Sequence, residues 1–353
     1  MGFPKIVFYL PPSLWPETWP KRLDDSWPGF GLGVYAWTIQ TCLRLQAVGF
    51  TCELSQTMPE QGIVLFHSNV PRLCPSFPKP TRQQLFICLK AEAPPSAYAQ
   101  LQVVQNPQEV SERQFFIPHW PQPGLLPRLT ARGDRFETIA FLGHRNSLAT
   151  ALQSPEWQAQ LRALGLRWRS SISQNAWNDY ATLDNRWHDY REVDAVVAVR
   201  SFEPRVCWQT QQFRNKPATK LYNAWLAGVP AVLGVEQAYR AERQTVLDYL
   251  EVDSQAKLLA TLQRLRDDRE LRLAMMAQAQ QRATDYTPDA VTQHWIHFFE
   301  TVAIPAYEQW RQCSTAGQRW VKVRSQSQNL RARLHRRLRA AVCRPLIAQL
   351  GSR

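Results

Sequence analysis

Short apolar runs of five or six residues recur along the first third of the chain, at 5–10, 50–54, 62–67, 85–90, 101–105 and 115–119. Each is bounded by Pro, Gly or polar residues, the length and punctuation of β-strands. After the first run, a Pro/Trp-rich stretch leads to Gly29-Phe-Gly-Leu-Gly33 and then to a helical pattern over 34–48 that Gly49 ends. A second series opens with a strand at 137–143, a helix at 155–164 and a strand at 166–170. It continues with 193–199, an almost unbroken apolar run of the kind that parallel sheets bury on both faces. A helix over 219–227 stops at Gly228, and a strand follows at 229–234. Further helices are predicted over 255–265, 270–283 and 288–299, the last opened by Thr287-Pro288, a hydroxyl cap followed by proline at the first helical position.

Strands alternating with helical segments predict an α/β fold with parallel sheets. Residues 119–136, rich in Pro, Gly and Arg, separate the two series and read as a linker. The expected division is an N-terminal Rossmann-like domain over 1–130, a second α/β domain over 131–304, and a tail over 305–353.

Composition narrows this picture. Hydrophobic residues make up 44% of the 353, enough for two real cores and against global disorder. No apolar run is long enough to cross a membrane, and the first ten residues read as a strand rather than a leader. Seven scattered cysteines without a C-x-x-C argue against a disulfide framework or a zinc site and fit a reducing, cytoplasmic compartment. The net charge of +13 is concentrated after Glu308, where eleven Lys/Arg and no Asp/Glu occur; the preceding residues carry 31 basic against 29 acidic groups. The high isoelectric point therefore gives no reason to expect a nucleic-acid-binding body.

Ligands of parallel α/β sheets lie beyond the carboxyl ends of the strands, where helix N-termini offer free N–H groups to anions. The segment Asn215-Lys-Pro-Ala-Thr-Lys-Leu-Tyr-Asn-Ala-Trp-Leu-Ala-Gly-Val-Pro230 has that form. A basic loop leads into a helix that Thr219 is placed to cap, with Lys216 and Lys220 at its positive end. An ordinary capped helix with surface lysines fits the same pattern. Gly143 and Arg145, at the end of the strand over 137–143, suit close backbone approach and bidentate pairing with a phosphate. Arg200 ends an apolar strand and needs a partner, either a phosphate or Glu203.

The pattern K-P-x-x-K-L-x-N-A-x-x-A-G-x-P resembles the donor-site helix of GT-B fold glycosyltransferases. The similarity continues through 229–234, Glu236, Tyr239 and Asp248-Tyr-Leu250 to the helix with Trp295 and Phe298-Phe299, and weakens over 1–118. The resemblance implies two Rossmann-like domains facing a cleft, with a nucleotide-diphosphate sugar held by the second domain through Gly143, Arg145, Arg200, Lys216, Thr219, Lys220, Asn223 and Glu236. It implies that Gly31 and Gly33 of the glycine loop face the donor diphosphate, and that a glycosyl group passes to a saccharide or lipid-linked acceptor with no cofactor and no metal. Where the large retaining branch carries two glutamates separated by seven residues, this chain has Asn215 and Asn223. Retention of configuration is therefore not carried over, and a non-catalytic nucleotide- or sugar-binding protein on the same fold is the alternative.

Inverting transfer needs a group to deprotonate the acceptor hydroxyl. Glu92, following an apolar strand and preceding Pro94-Pro95, is the first choice, with His67 and Asp25 (beside Asp24) behind it. Trp15, Trp19, Trp27 and Trp120 fall in predicted loops and could stack on sugars, whereas Trp225 is expected in the core. In the tail, Arg and Lys at 319–344 flank apolar positions from Leu330 to Leu350 at helical spacing. Three readings follow: an in-plane helix on an anionic membrane, peripheral on its inner face; a helix packed on the body; or, least favoured, a nucleic-acid contact.

Overall fold

A computed structural model describes residues 3–20, 22–74, 77–97, 99–173, 185–314, 316–317 and 334. The basic segment 319–350, apart from Leu334, lies outside the described residues, and so does Cys343. The chain forms two compact units. One draws on residues 1–17, 37–117 and 292–353, the other on 18–36 and 118–291.

The first unit contains β1 (Ile6–Tyr9), β2 (Glu53–Ser55), β3 (Gly62–His67), β4 (Gln84–Leu89), β5 (Leu101–Val104) and β6 (Gln114–Phe116). They form one sheet in the order β2-β1-β3-β4-β5-β6, and every pairing is parallel. All residues of β1, β3, β4 and β5 are buried, which is why these strands read as continuous apolar runs without alternation. The helical pattern predicted over 34–48 is interrupted by a π-helical turn, Ala36–Gln40, before helix Thr41–Ala47. Trp37, on that turn, meets Trp295 edge to face, and Trp295 meets Phe8 of β1 in the same way. These contacts bring the end of helix Pro288–Phe298 onto the first sheet. Helix Ile304–Gln312 buries Tyr307 and Trp310 and packs against β3 and β4.

The second unit contains β7 (Thr138–His144), β8 (Arg167–Ser173), β9 (Ala195–Ala198), β10 (Ala231–Gly234) and β11 (Leu250–Val252), in the order β11-β10-β9-β7-β8, again all parallel. Two cores sandwich this sheet, and the strands feed them alternately. Ala140, Leu142, Val196 and Ala198 face one core with Leu221, Tyr222 and Trp225 of helix Thr219–Ala227. Ile139, Phe141, Val197 and Val199 face the other, with Trp157 and Leu161 of helix Pro155–Ala163 and Leu258 and Leu262 of helix Gln255–Asp267. A period of two with both faces apolar is what a central parallel strand requires. Trp225 is a core residue, as expected.

At the amino ends of the strands, buried Asp194 fastens the segment before β7. Its carboxylate accepts from Arg128 Nε at 3.0 Å, Arg132 Nη2 at 2.6 Å, and the amides of Glu137 and Thr138, each at 2.9 Å. Burial alone would raise the Asp194 pKa, but these hydrogen bonds outweigh it and hold the group below its ordinary value. Part of the expected linker is thereby built into the second unit. Between the two helices predicted over 255–265 and 270–283, helix Gln255–Asp267 ends and Asp268 caps helix Arg269–Ala283 by accepting from the Leu271 amide at 2.9 Å. No helix among the described residues is long and apolar enough to cross a membrane.

Candidate functional site

The carboxyl ends of three neighbouring strands of the second unit, β7, β9 and β10, converge with the start of helix Thr219–Ala227. The penultimate residue of β7 is Gly143, at φ +150°, a backbone region that side chains rarely occupy. A Cβ there would lie 2.4 Å from Lys220 Nζ. Glycine thus leaves the space in which the ammonium rests. That ammonium donates to the Leu142 carbonyl at 2.8 Å and sits 4.9 Å above the Phe141 ring. The helix start is in this way tied to the strand end.

Arg200 lies two residues past the end of β9. Its Nε donates to Glu236 Oε2 at 3.0 Å and its Nη1 to Ser147 Oγ at 2.6 Å, while the guanidinium lies 6.0 Å from the centre of the Phe213 ring. Glu236 is only 1% exposed. The partner of Arg200 is therefore Glu236, reached across adjacent strand ends, and not the sequence neighbour Glu203, which instead occupies the N-cap position of the short helix Pro204–Gln209. Ser147 and Phe213 carry no sequence signal for this role; the first closes the 3-10 turn Arg145–Ser147 and the second belongs to a left-handed turn.

The charges shift one another. Withdrawal from water, with repulsion from Arg200 and Lys216, pulls the Lys220 pKa down to about 7 against the pull of Glu236. Burial raises the Glu236 pKa, opposed first by Arg200 and then by Lys220 and Lys216. Two buried hydroxyls lie in this region. Thr219 Oγ1 and Tyr239 OH have no hydrogen-bond partner among the described residues. Burial and then the Glu236 carboxylate raise the Tyr239 pKa, which places that phenol near the Arg200–Glu236 pair.

Thr219 does not cap the helix as expected. Ala218 holds the N-cap position, and Thr219 has already entered the first helical turn, so its hydroxyl cannot reach back to the first amides. The loop before it is strained. Gln211, Gln212 and Phe213 have φ of +54°, +53° and +55°, a left-handed turn that costs about 1–2 kcal/mol per non-glycine residue. It is held by Gln212 N donating to Cys207 O at 2.6 Å and by Gln237 N donating to Gln212 O at 2.8 Å. Lys216 N then donates to Phe213 O at 2.8 Å, so the turn sets where Lys216 begins.

The glycine loop belongs to this unit. Residues 18–36 group with the second unit, and Gly31 O accepts from His144 Nε2 at 3.2 Å. His144 in turn meets Trp187 edge to face. Gly29 has a packing role, since a Cβ there would fall 2.2 Å from the Trp27 ring. Gly33 starts the short helix Gly33–Tyr35. Arg145 is exposed at the start of the 3-10 turn Arg145–Ser147. Asn223 is buried, and its Oδ1 accepts from the Gln122 amide at 2.9 Å, a bond that anchors the 118–136 segment. Asn215 is exposed.

Two of the three candidate bases, His67 and Glu92, lie at the carboxyl ends of the adjacent strands β3 and β4, and the third, Asp25, belongs to the other unit. Glu92 is exposed in the turn after β4 of the first unit. His67 ends β3 and is buried, and its Nδ1 accepts from the Asn69 amide at 3.2 Å. A neutral His67 so bonded carries its proton on Nε2, the tautomer of a donor rather than a base. Asp25 lies in the second unit, where its Oδ2 accepts from the Arg22 amide at 2.8 Å. Of the tryptophans expected in loops, Trp27 and Trp120 are buried, and Trp19 is the most exposed.

No protein-family model matches the chain, and no curated protein matches it in sequence. Solved structures do match it in fold. AviGT4, a glycosyltransferase involved in avilamycin A biosynthesis, aligns at TM-score 0.51 and 15% identity over 84% of this chain and 97% of its own. Sucrose-phosphate synthase from Thermosynechococcus elongatus aligns at TM-score 0.51 and 11% identity, over 86% of this chain and all of its own. TarM aligns at TM-score 0.46 and 8% identity over 74% of this chain, which spans 58% of that protein's length. With two parallel-sheet α/β units and these matches across nearly the whole length of two glycosyl-transferring enzymes, the chain has the GT-B fold that the sequence resemblance implied.

Proposed function

We propose that this protein is a glycosyltransferase that takes a sugar from a nucleotide-diphosphate donor and passes it to a saccharide or lipid-linked acceptor. The observation that carries the reading is the convergence of Lys220, Lys216 and Arg200 with the start of helix Thr219–Ala227 at three strand ends. A departing diphosphate develops negative charge, and a helix N-terminus with fixed cations offsets it without reorganisation. Gly143 serves this arrangement by leaving room for the Lys220 head. In this reading no metal is required, because side-chain cations and the helix dipole perform the charge balance. Arg145, exposed beside Gly143, is a further phosphate contact, and Glu92 is the carboxylate assigned to the acceptor hydroxyl.

The fold of AviGT4 and sucrose-phosphate synthase supports the reading at the level of architecture. The basic segment 319–350 suits an acceptor presented at an anionic surface. Calorimetric titration with UDP and with GDP tests the donor site. Saturable binding below millimolar concentration, lost in Lys220→Ala, is expected; silence with both nucleotides at millimolar concentration would remove the claim. A second reading, a nucleotide-binding protein without transfer activity, is favoured by Asn223, which stands where a retaining enzyme has a glutamate and is engaged with the Gln122 amide. Donor hydrolysis or transfer with any acceptor would exclude it.

A further inference from the structure

We propose that donor binding at this site is coupled to the uptake of one proton, received by Lys220, so that the protein grips its donor more tightly as the surroundings become more acidic. The inference rests on the donor reading above and adds a form of regulation to it. Three cations, Arg200, Lys216 and Lys220, act on one another here, and Glu236 is the carboxylate among them. Glu236 is committed to Arg200 at 3.0 Å. Lys220 makes no ion pair among the described residues; its ammonium has the Leu142 carbonyl at 2.8 Å and the Phe141 ring beneath it. An ammonium has three donors and is strongly hydrated, so a half-buried one with a single carbonyl acceptor and two cationic neighbours is poorly compensated.

The charged groups acting on Lys220 come from every side of the site. Arg200 follows β9, Lys216 precedes the helix, and Glu236 follows β10, while β7 contributes only Phe141, Leu142 and Gly143. The balance of these groups brings the amine near neutrality at about pH 7. A diphosphate placed among the same cations reverses the balance, because it supplies the anion that the amine lacks. The step is a simple protonation: the lone pair on Nζ takes a proton from solvent or buffer, and the resulting ammonium pairs with a phosphate oxygen. With half-protonation near pH 7, about three quarters of a proton is taken up per donor bound at pH 7.5, and affinity falls toward tenfold per pH unit above that.

Calorimetric titration with UDP-glucose and with GDP-mannose, at pH 7.5 in PIPES, HEPES and Tris, reads the uptake from the dependence of the heat on buffer ionisation. Both probes are diphosphate diesters whose own charge is constant in this range. Uptake of about 0.7 proton, with the dissociation constant rising at least fivefold between pH 7 and 8.5, is expected. Binding without uptake and with constant affinity over that range overturns the coupling alone. A silent titration with both probes overturns the donor reading, and the coupling with it. The amine can also be read without any donor, by NMR of the ¹³C-dimethylated protein, with the Lys220 resonance identified by its loss in Lys220→Arg. A midpoint near 7 is expected, and a midpoint above 9.5 overturns the coupling whatever the nucleotides do.

Discussion

Replacing Glu236 by glutamine keeps the shape of the side chain and removes its charge. Arg200, 10% exposed at its side chain, then loses the carboxylate at 3.0 Å and keeps Ser147 Oγ at 2.6 Å and the Phe213 ring. Removing one partner of a buried ion pair costs about 3–5 kcal/mol, mostly the penalty of the charge left behind. The two retained contacts place Glu236→Gln at the low end, about 3 kcal/mol. For a domain of this size that is roughly 6–12 °C in the unfolding midpoint. Nucleotide affinity should move the other way. An anion no longer competes with the ligand for Arg200, so UDP should bind severalfold more tightly. Thermal unfolding with and without UDP measures both quantities on one sample, since ligand at a hundredfold excess over its dissociation constant adds about 2.7 kcal/mol. The variant should therefore start lower than the parent and regain more on adding UDP. Tenfold weaker UDP binding would mean that Glu236 contacts the ligand directly. No change in stability would mean that Arg200 does not depend on it. Either result refutes the electrostatic account of the site.

Three other outcomes are expected. Gly143→Ala, which forces a methyl group to within 2.4 Å of Lys220 Nζ at φ +150°, should cost about 1–2 kcal/mol from backbone strain and weaken UDP binding at least fivefold as the ammonium swings off Leu142 O; unchanged calorimetry would oppose it. Lys220 has a folded pKa near 7, below its ordinary 10.5, so from pH 7 to 10.5 the unfolded chain binds more protons and stability rises with pH; Lys220→Met should flatten urea-derived stability between pH 7 and 9 by up to about 1.4 kcal/mol per unit. In the first unit, Lys90 and Glu109 form a buried pair at 2.6 Å; Glu109→Gln should destabilise by about 3 kcal/mol, and the double variant Lys90→Met with Glu109→Leu by less, as urea unfolding will show.

The strands were legible because their burial is complete on both faces. Residues 62–67 and 193–199 announce themselves as apolar runs whatever the connections around them. β11 was missed as a strand, since three residues with Glu251 in the middle carry no pattern and its place depends on pairing with β10. The helix over 219–227 was read to its last residue, yet the side chain expected to cap it does not, because a one-residue shift in where the helix begins cannot be seen in Ala-Thr-Lys. The Arg200–Glu236 pair was hidden for a different reason. Its members are 36 residues apart and meet only because β9 and β10 are neighbours in the sheet. The left-handed turn at 211–213 left no trace in composition, since none of its residues is glycine or asparagine.

The chain enters and leaves the second unit twice, crossing at 17/18, 36/37, 117/118 and 291/292. No single cut in the polypeptide therefore releases either half intact. A fragment beginning at residue 118 would lack the Gly31 carbonyl that His144 holds, and one ending at 117 would lack the aromatic residues Trp295 and Phe299 that cover Phe8. During synthesis the strands of the first sheet all emerge before those of the second, but the helical residues from 292 onward that cover them emerge last, so a truncated chain should be insoluble rather than yield one working lobe.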